Sequence, residues 1–165
     1  MRSWTLILAA IVALTALSLA SPLFATAKAG TGGLDPATQR YIAVLKPNLT
    51  ALAKASSAEH IPCYHVGPAT AKCQRLHTAL GAATKKTINA LSKVAVPRKL
   101  LSADKELKAA LAAYLARINA DIKASAARDY KKFRGTHDTP VVRRLNNAIT
   151  GIIRLVPGTY LPLVS

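Results

Sequence analysis

Acidic side chains are scarce in this chain: seven Asp and Glu stand against 23 Lys and Arg, a formal net charge of +16 over 165 residues. Carboxylates this few and this scattered leave little from which to assemble an acid/base pair. Asp104 and Glu106 are two apart on a helix and point to different faces. Asp121 and Asp129 sit among Arg117, Lys123, Arg128 and Lys132, where surface ion pairing accounts for them. Aromatic residues are also few, at 5%, and β-branched residues are thin beside Ala and Leu. That balance disfavours a β-sandwich and favours helices. Nine Pro and eight Gly exclude a collagen-like or low-complexity chain, and 51% hydrophobic with 18% charged residues excludes a disordered polyelectrolyte.

Catalytic signatures are missing too. There is no G-x-S-x-G elbow and no H-E-x-x-H helix. Ser102-x-x-Lys105 has the S-x-x-K spacing, but its companion motifs are absent and Ser102 is better used as a helix cap. The glycine cluster at Gly30, Gly32 and Gly33 follows no strand and precedes no Gly-Lys-Ser/Thr, so it reads as a linker rather than a phosphate loop. The chain is expected not to be an enzyme and to carry no cofactor.

The one long apolar run is at the start. Arg2 precedes an apolar stretch from Trp4 to Ala20, Ser21-Pro22 ends it, and Ala25-Thr26-Ala27 supplies the small residues a signal peptidase accepts. Residues 1–27 therefore read as a secretory signal peptide cleaved after Ala27, with Ala29 as the second site. The run is shorter than the roughly 20 residues of a membrane anchor. Removing these 27 residues, Arg2 among them, would leave 138 residues at +15 with no transmembrane span. A chain of that size can bury one core and form one domain.

After a flexible lead-in at 28–34, four amphipathic helices are expected over 35–156, followed by an apolar tail at 157–165. Asp35-Pro36 caps and opens the first, whose stripe is Tyr41, Leu45, Leu49 and Leu52. Pro47 falls on its solvent side, where it should bend the helix toward the core rather than end it, and the chance sequon Asn48-Leu49-Thr50 follows it mid-helix. The second, from about Ala69 to Ala95, buries Cys73, Leu76, Leu80, Thr87, Leu91 and Val94, with Lys72, Arg75, Lys86 and Lys93 aligned beside that stripe. Ser102 caps the third, with Leu107, Leu111, Leu115, Ile118 and Ile122 inward, Phe133 extending the face and Gly135 as C-terminal cap. Thr139-Pro140 opens the fourth, with Val142, Leu145, Ile149, Ile152 and Val156 inward and Arg143, Asn147 and Arg154 outward. Helices joined in this way predict an all-α, up-down-up-down four-helix bundle with the tail lying against it.

Cys63 and Cys73 are the only cysteines. In an exported chain an even pair reads as a disulfide, here in the connection between the first two helices, closing a loop worth roughly 3 kcal/mol at most. The competing reading is metal or haem. Cys63-x-His65 and Cys73-x3-His77 offer two thiols and two imidazoles, and His60, Tyr64, His65 and His77 cluster in one stretch. These gaps match no common zinc module, so the disulfide is preferred and His65, His77 and Tyr64 are kept as the alternative ligands.

The leader places the protein in the periplasm, envelope or exterior, and a charge this positive draws anionic partners there, such as lipid head groups or envelope polymers. Nucleic acid is disfavoured, because removing the leader leaves no Trp and only Phe133 among the Phe. In an up-down-up-down bundle, the first and third connections share one end. That end is the expected anion site: His60, His65, Lys72, Arg75, His77, Arg134, His137, Arg143 and Arg144.

Overall fold

The computed structural model describes residues 33–65, 70–129, 132–133 and 139–165, apart from the side chains of Ile61, Tyr64 and His65. The expected signal peptide at 1–27, most of the lead-in, Arg134, Gly135 and His137 lie outside the described residues. The described residues form four α-helices and no strand: α1 (Pro36–His65), α2 (Ala71–Ser92), α3 (Leu101–Ala126) and α4 (Pro140–Leu155), with a 3-10 turn at Arg98–Leu100 leading into α3.

Asp35 starts α1 as its residue type dictates. Its carboxylate accepts the backbone N–H of Thr38 at 2.8 Å and the Thr38 hydroxyl at 2.7 Å, and Pro36 needs no partner at the first helical position. Tyr41, Leu45, Leu49 and Leu52 are all fully buried, and α1 continues through the exposed Pro47. It also runs through Pro62 to His65, so residues 60–65 belong to the helix and not to a connecting loop. Pro62 removes one backbone bond from the last turns. Burial of Glu59 and Cys63 on the inward face holds those turns in place.

Thr70 caps α2 by accepting the Cys73 N–H, so the helix begins slightly later than its pattern suggested. Its inward face is more polar than expected: His77, Thr84 and Thr87 are buried beside Cys73, Leu80 and Leu91, while Leu76 and Val94 are only half-buried. Thr84 and Thr87 satisfy their hydroxyls within the helix, donating to the carbonyls of Leu80 and Ala83.

Two expected caps of α3 do not form. The helix enters from the 3-10 turn with Leu100 at the N-cap position, leaving Ser102 exposed inside the first turn. At the other end, Arg128 adopts φ 55°, Asp129 N–H reaches Ala124 O and Arg128 N–H reaches Ser125 O. This pair of bonds closes the helix well before Gly135. The inward face is also rotated slightly: Tyr114 and Asp121 are fully buried, whereas Leu115 and Ile122 are half-buried. Polar partners explain the rotation. Tyr114 Oη lies 3.3 Å from Ser56 Oγ, and Arg117 grips Asp121 through two bonds of 3.0 and 2.8 Å, which makes Asp121 a buried partner and not a surface one.

α4 follows its pattern closely. Thr139 accepts the Val142 N–H, and Val142, Leu145, Ile149, Ile152 and Val156 are buried with Arg143, Asn147 and Arg154 exposed. The tail docks as expected: Leu161 and Val164 are buried, and the Asn146 amide both donates to and accepts from the Val164 backbone, at 2.8 and 2.9 Å. Ser56 and Ser57 of α1 meet Ser165.

Successive helices pack in chain order, α1 on α2, α2 on α3 and α3 on α4. Tyr41 donates to Asp104 at 2.9 Å, tying the start of α1 to the start of α3 inside the core. Lys108 completes that network at 2.7 Å from Asp104. Burial, and then the Asp104 charge, push ionisation of Tyr41 well above its ordinary range. None of the described helices is long and apolar enough to cross a membrane.

Three stability measurements test this account. Thr139→Ala should cost about 1 kcal/mol in urea unfolding, while Ser102→Ala should stay within about 0.5 kcal/mol because no cap is lost. A Cβ on Gly81 would meet Ile118 Cγ2 at 3.5 Å, an ordinary contact; Gly81→Ala should therefore stabilise by about 0.5–1 kcal/mol. The Thr38 bonds, then Lys99, hold the Asp35 carboxyl below its ordinary range, and Arg144 does the same for Glu106. Their contributions are complete above about pH 4 and are lost as pH falls through the lower folded-state values. Asp35→Asn with Glu106→Gln should flatten the acid limb of a stability–pH curve.

Candidate functional site

The two cysteines are bonded, and the bond joins helix to helix. Cys63 on the last turn of α1 and Cys73 on the first turns of α2 form a disulfide with Cα atoms 5.0 Å apart. Each cysteine has a polar neighbour four residues away in its own helix, Glu59 before Cys63 and His77 after Cys73. Residues at this spacing share a helix face. Because α1 and α2 lie antiparallel, the two faces meet, and all four residues are buried.

The contacts within this group are close. His77 Nε2 lies 3.1 Å from Glu59 Oε1, with both side chains almost completely buried. On the other side of the ring, His77 Nδ1 lies 3.5 Å from Cys63 Sγ, 3.3 Å from Cys73 Sγ and 3.2 Å from the Cys73 carbonyl oxygen. One ligand atom from each of Glu59, Cys63, Cys73 and His77 can be chosen so that all lie within 4.8 Å of one another. Phe133 packs edge-on against the imidazole, ring centroids 5.4 Å apart.

Of the residues expected to bind anions, the structure gathers some and separates others. His77 is inside the helix junction, with Glu59 Oε1 3.1 Å from Nε2 and the Cys73 carbonyl oxygen 3.2 Å from Nδ1, and does not face solvent. His60 stands beside Glu59 near the end of α1, half-buried. Lys72 and Arg75 are exposed on the first turns of α2, as expected. Arg144 is turned away: its guanidinium grips Glu106 at 2.8 Å, near the start of α3. Glu106 lies twelve residues, about 18 Å of helix, before Ile118, the residue that meets α2 at Gly81. Arg143 lines the same groove as Arg144, with Ser102, Ala103 and Glu106. The side chains of Tyr64 and His65, and all of Arg134 and His137, lie outside the described residues.

Glu59 is the residue that sequence reading passed over. The signal was the pairing of Glu-x3-Cys with Cys-x3-His, two helical spacings mirrored across the junction. It shows only when residues 59–65 are taken as helix, and Pro62 argued against that. A haem reading through His77 would require the imidazole to release Glu59 on one side or the sulfurs and the Cys73 carbonyl on the other.

If the junction is held as described, Glu59→Ala, which strands the His77 ring nitrogen, should cost about 1–3 kcal/mol. Replacing both cysteines by Ser should cost about 2–3 kcal/mol for a loop this short. Urea titrations of the oxidised protein and the two variants read both values. No protein-family model, no curated protein and no solved structure matches this chain, so its function is argued from these residues and this geometry.

Proposed function

We propose that the protein is an exported, non-enzymatic binding protein that associates with anionic envelope or extracellular material through the outer face of α2. The architecture that goes with this reading is an up-down-up-down bundle behind a cleaved leader, with the mature chain in an extracytoplasmic compartment. The observation that carries it is the distribution of charge. Each of the six carboxylates among the described residues has a basic partner within the fold: Asp35 with Lys99, Glu59 with His77, Asp104 with Lys108, Glu106 with Arg144, Asp121 with Arg117, and Asp129 with Lys132.

The cations of α2 are left over. No Asp or Glu occurs between Glu59 and Asp104. Lys72, Arg75, Lys86 and Lys93 are exposed, and none has an ion pair among the described residues. At 100° per residue the four fall within about 60° of arc and span about 31 Å along the helix. Ala79 and Ala82 lie between them on the same side, so no bulky side chain keeps an extended anionic surface away from the charges. A row of this kind suits a surface or polymer of repeated negative charge better than one small anion. Stacking on nucleobases has little support, since Tyr160 is the single exposed large aromatic among the described residues.

The test is sedimentation of the mature protein with phosphatidylglycerol vesicles over a salt series. Binding should weaken steeply between low and physiological salt, where the screening length shrinks to about 8 Å. Changing Lys72, Arg75, Lys86 and Lys93 to Gln should weaken it by about a hundredfold or more, at about 1 kcal/mol per cation near an anionic surface. Changing Arg40, Lys46, Lys54 and Arg154, which are exposed elsewhere, removes the same charge and should cost much less. Equal losses would mean that net charge alone matters. Binding that ignores salt would reject the proposal.

A further inference from the structure

We infer that the α1–α2 junction is a redox-gated metal site, in which the reduced Cys63 and Cys73 thiolates and His77 Nδ1 ligate one Zn2+ and the disulfide excludes it. This inference stands on the junction alone and does not depend on the reading of the α2 surface.

The donor set and its spacing carry the argument. A tetrahedral zinc with Zn–S about 2.3 Å and Zn–N about 2.05 Å fixes each sulfur–nitrogen edge at about 3.5 Å. The two sulfurs lie 3.5 and 3.3 Å from His77 Nδ1, so those edges are already set. Only the sulfur–sulfur edge is missing, because the two atoms are bonded; breaking that bond lets them part toward the roughly 3.8 Å a shared metal requires.

Glu59 takes a different role from the three ligands. It faces Nε2, the ring nitrogen pointing away from the sulfurs, at 3.1 Å. Metal entry requires Nδ1 to give up the Cys73 carbonyl oxygen, now 3.2 Å away; a carboxylate that then takes the Nε2 proton fixes the tautomer, frees the Nδ1 lone pair for the metal and makes the imidazole a better donor. Glu59 is therefore a positioning residue. The fourth coordination position is left to water. The site also needs no new backbone: the same two helical spacings that bring the disulfide together bring the ligands together.

The redox step balances with a dithiol reductant. Two electrons and two protons pass from the dithiol to the protein disulfide, giving two protein thiols and an oxidised dithiol. Binding of Zn2+ then displaces the two thiol protons as the sulfur–metal bonds form. In reverse, an external disulfide takes the two electrons, the sulfur–sulfur bond of the protein re-forms and the metal leaves. Thiolate ligation and the disulfide use the same two atoms, so the two states exclude each other.

Cobalt(II) is the probe, added to the whole exported chain without oxygen, with and without prior reduction by a phosphine. The reduced chain should take up one Co2+, giving a thiolate-to-cobalt charge-transfer band and the intense visible bands of a tetrahedral ion, and Zn2+ should displace it. The oxidised chain should give neither. An added disulfide oxidant should release the metal, with two hydrogens lost by intact mass. His77→Ala should abolish the tetrahedral spectrum in the reduced chain. Glu59→Gln should keep the spectrum but weaken affinity about 10–100-fold. A reduced chain that unfolds and refolds on adding Co2+ also supports the inference. It is overturned if the reduced chain takes up no Co2+ in either case, if oxidised and reduced chains bind alike, or if the disulfide resists the phosphine in the folded protein. It is likewise overturned if His77→Ala, still helical by circular dichroism, binds as the parent does.

Discussion

The register between α1 and α2 is the constraint on which the rest of the molecule depends. In an antiparallel pair the numbers of facing residues add to a constant, and here they do to within one residue. Cys63 meets Cys73, Glu59 meets His77, and further along the Thr87 hydroxyl reaches the carbonyl of Asn48. A covalent bond, a buried polar pair and a hydrogen bond thus fix one sliding position over most of the length of α2. The constraint matters because the inner face of α2 sets Gly81, Thr84 and Thr87 among its few large apolar residues, and small side chains and hydroxyls specify register poorly. Once α1 and α2 are fixed, Gly81 can admit Ile118 and Tyr41 can reach Asp104, which positions α3 against both.

Most of this fold could be read from the sequence, and most misreadings of the helix faces share one cause. The starts of α1 and α4 were legible because Asp35-Pro36 and Thr139-Pro140 carry their caps within four residues, a local signal that packing does not alter. The stripe of α4 was legible because its inward residues are almost all Val, Leu or Ile. The misreadings fall where polar groups go inward. His77, Thr84, Asp104 and Asp121 are buried because each finds a partner within four residues on its own helix, and a hydrophobic pattern counts every one as outward. Tyr114 takes the place expected of Leu115 for the same reason, since its hydroxyl meets Ser56. The site was half legible. Two cysteines implied a bond, but Pro62 hid the helix that adds Glu59 to them.

The same paired groups explain why so cationic a chain can still be compact. Every described carboxylate is used inside the fold, several of them to hold one helix on another, so the interior carries little unpaired charge. What remains unopposed is on the surface, most visibly on α2. Like charges four residues apart would weaken that helix by a few tenths of a kcal/mol per pair. The arrangement largely avoids them. Arg75 and Lys86 are about 16 Å apart along the axis and Lys86 and Lys93 about 10 Å, both beyond the screening length of about 8 Å at physiological salt. Lys72 and Arg75 are close, but they stand on the turns that the Thr70 cap and the disulfide already hold, and Lys85, next to Lys86, points about 100° away from it around the helix. The helix can therefore present a row of positive charge with no acidic partner of its own, because its stability comes from its ends and its inner face.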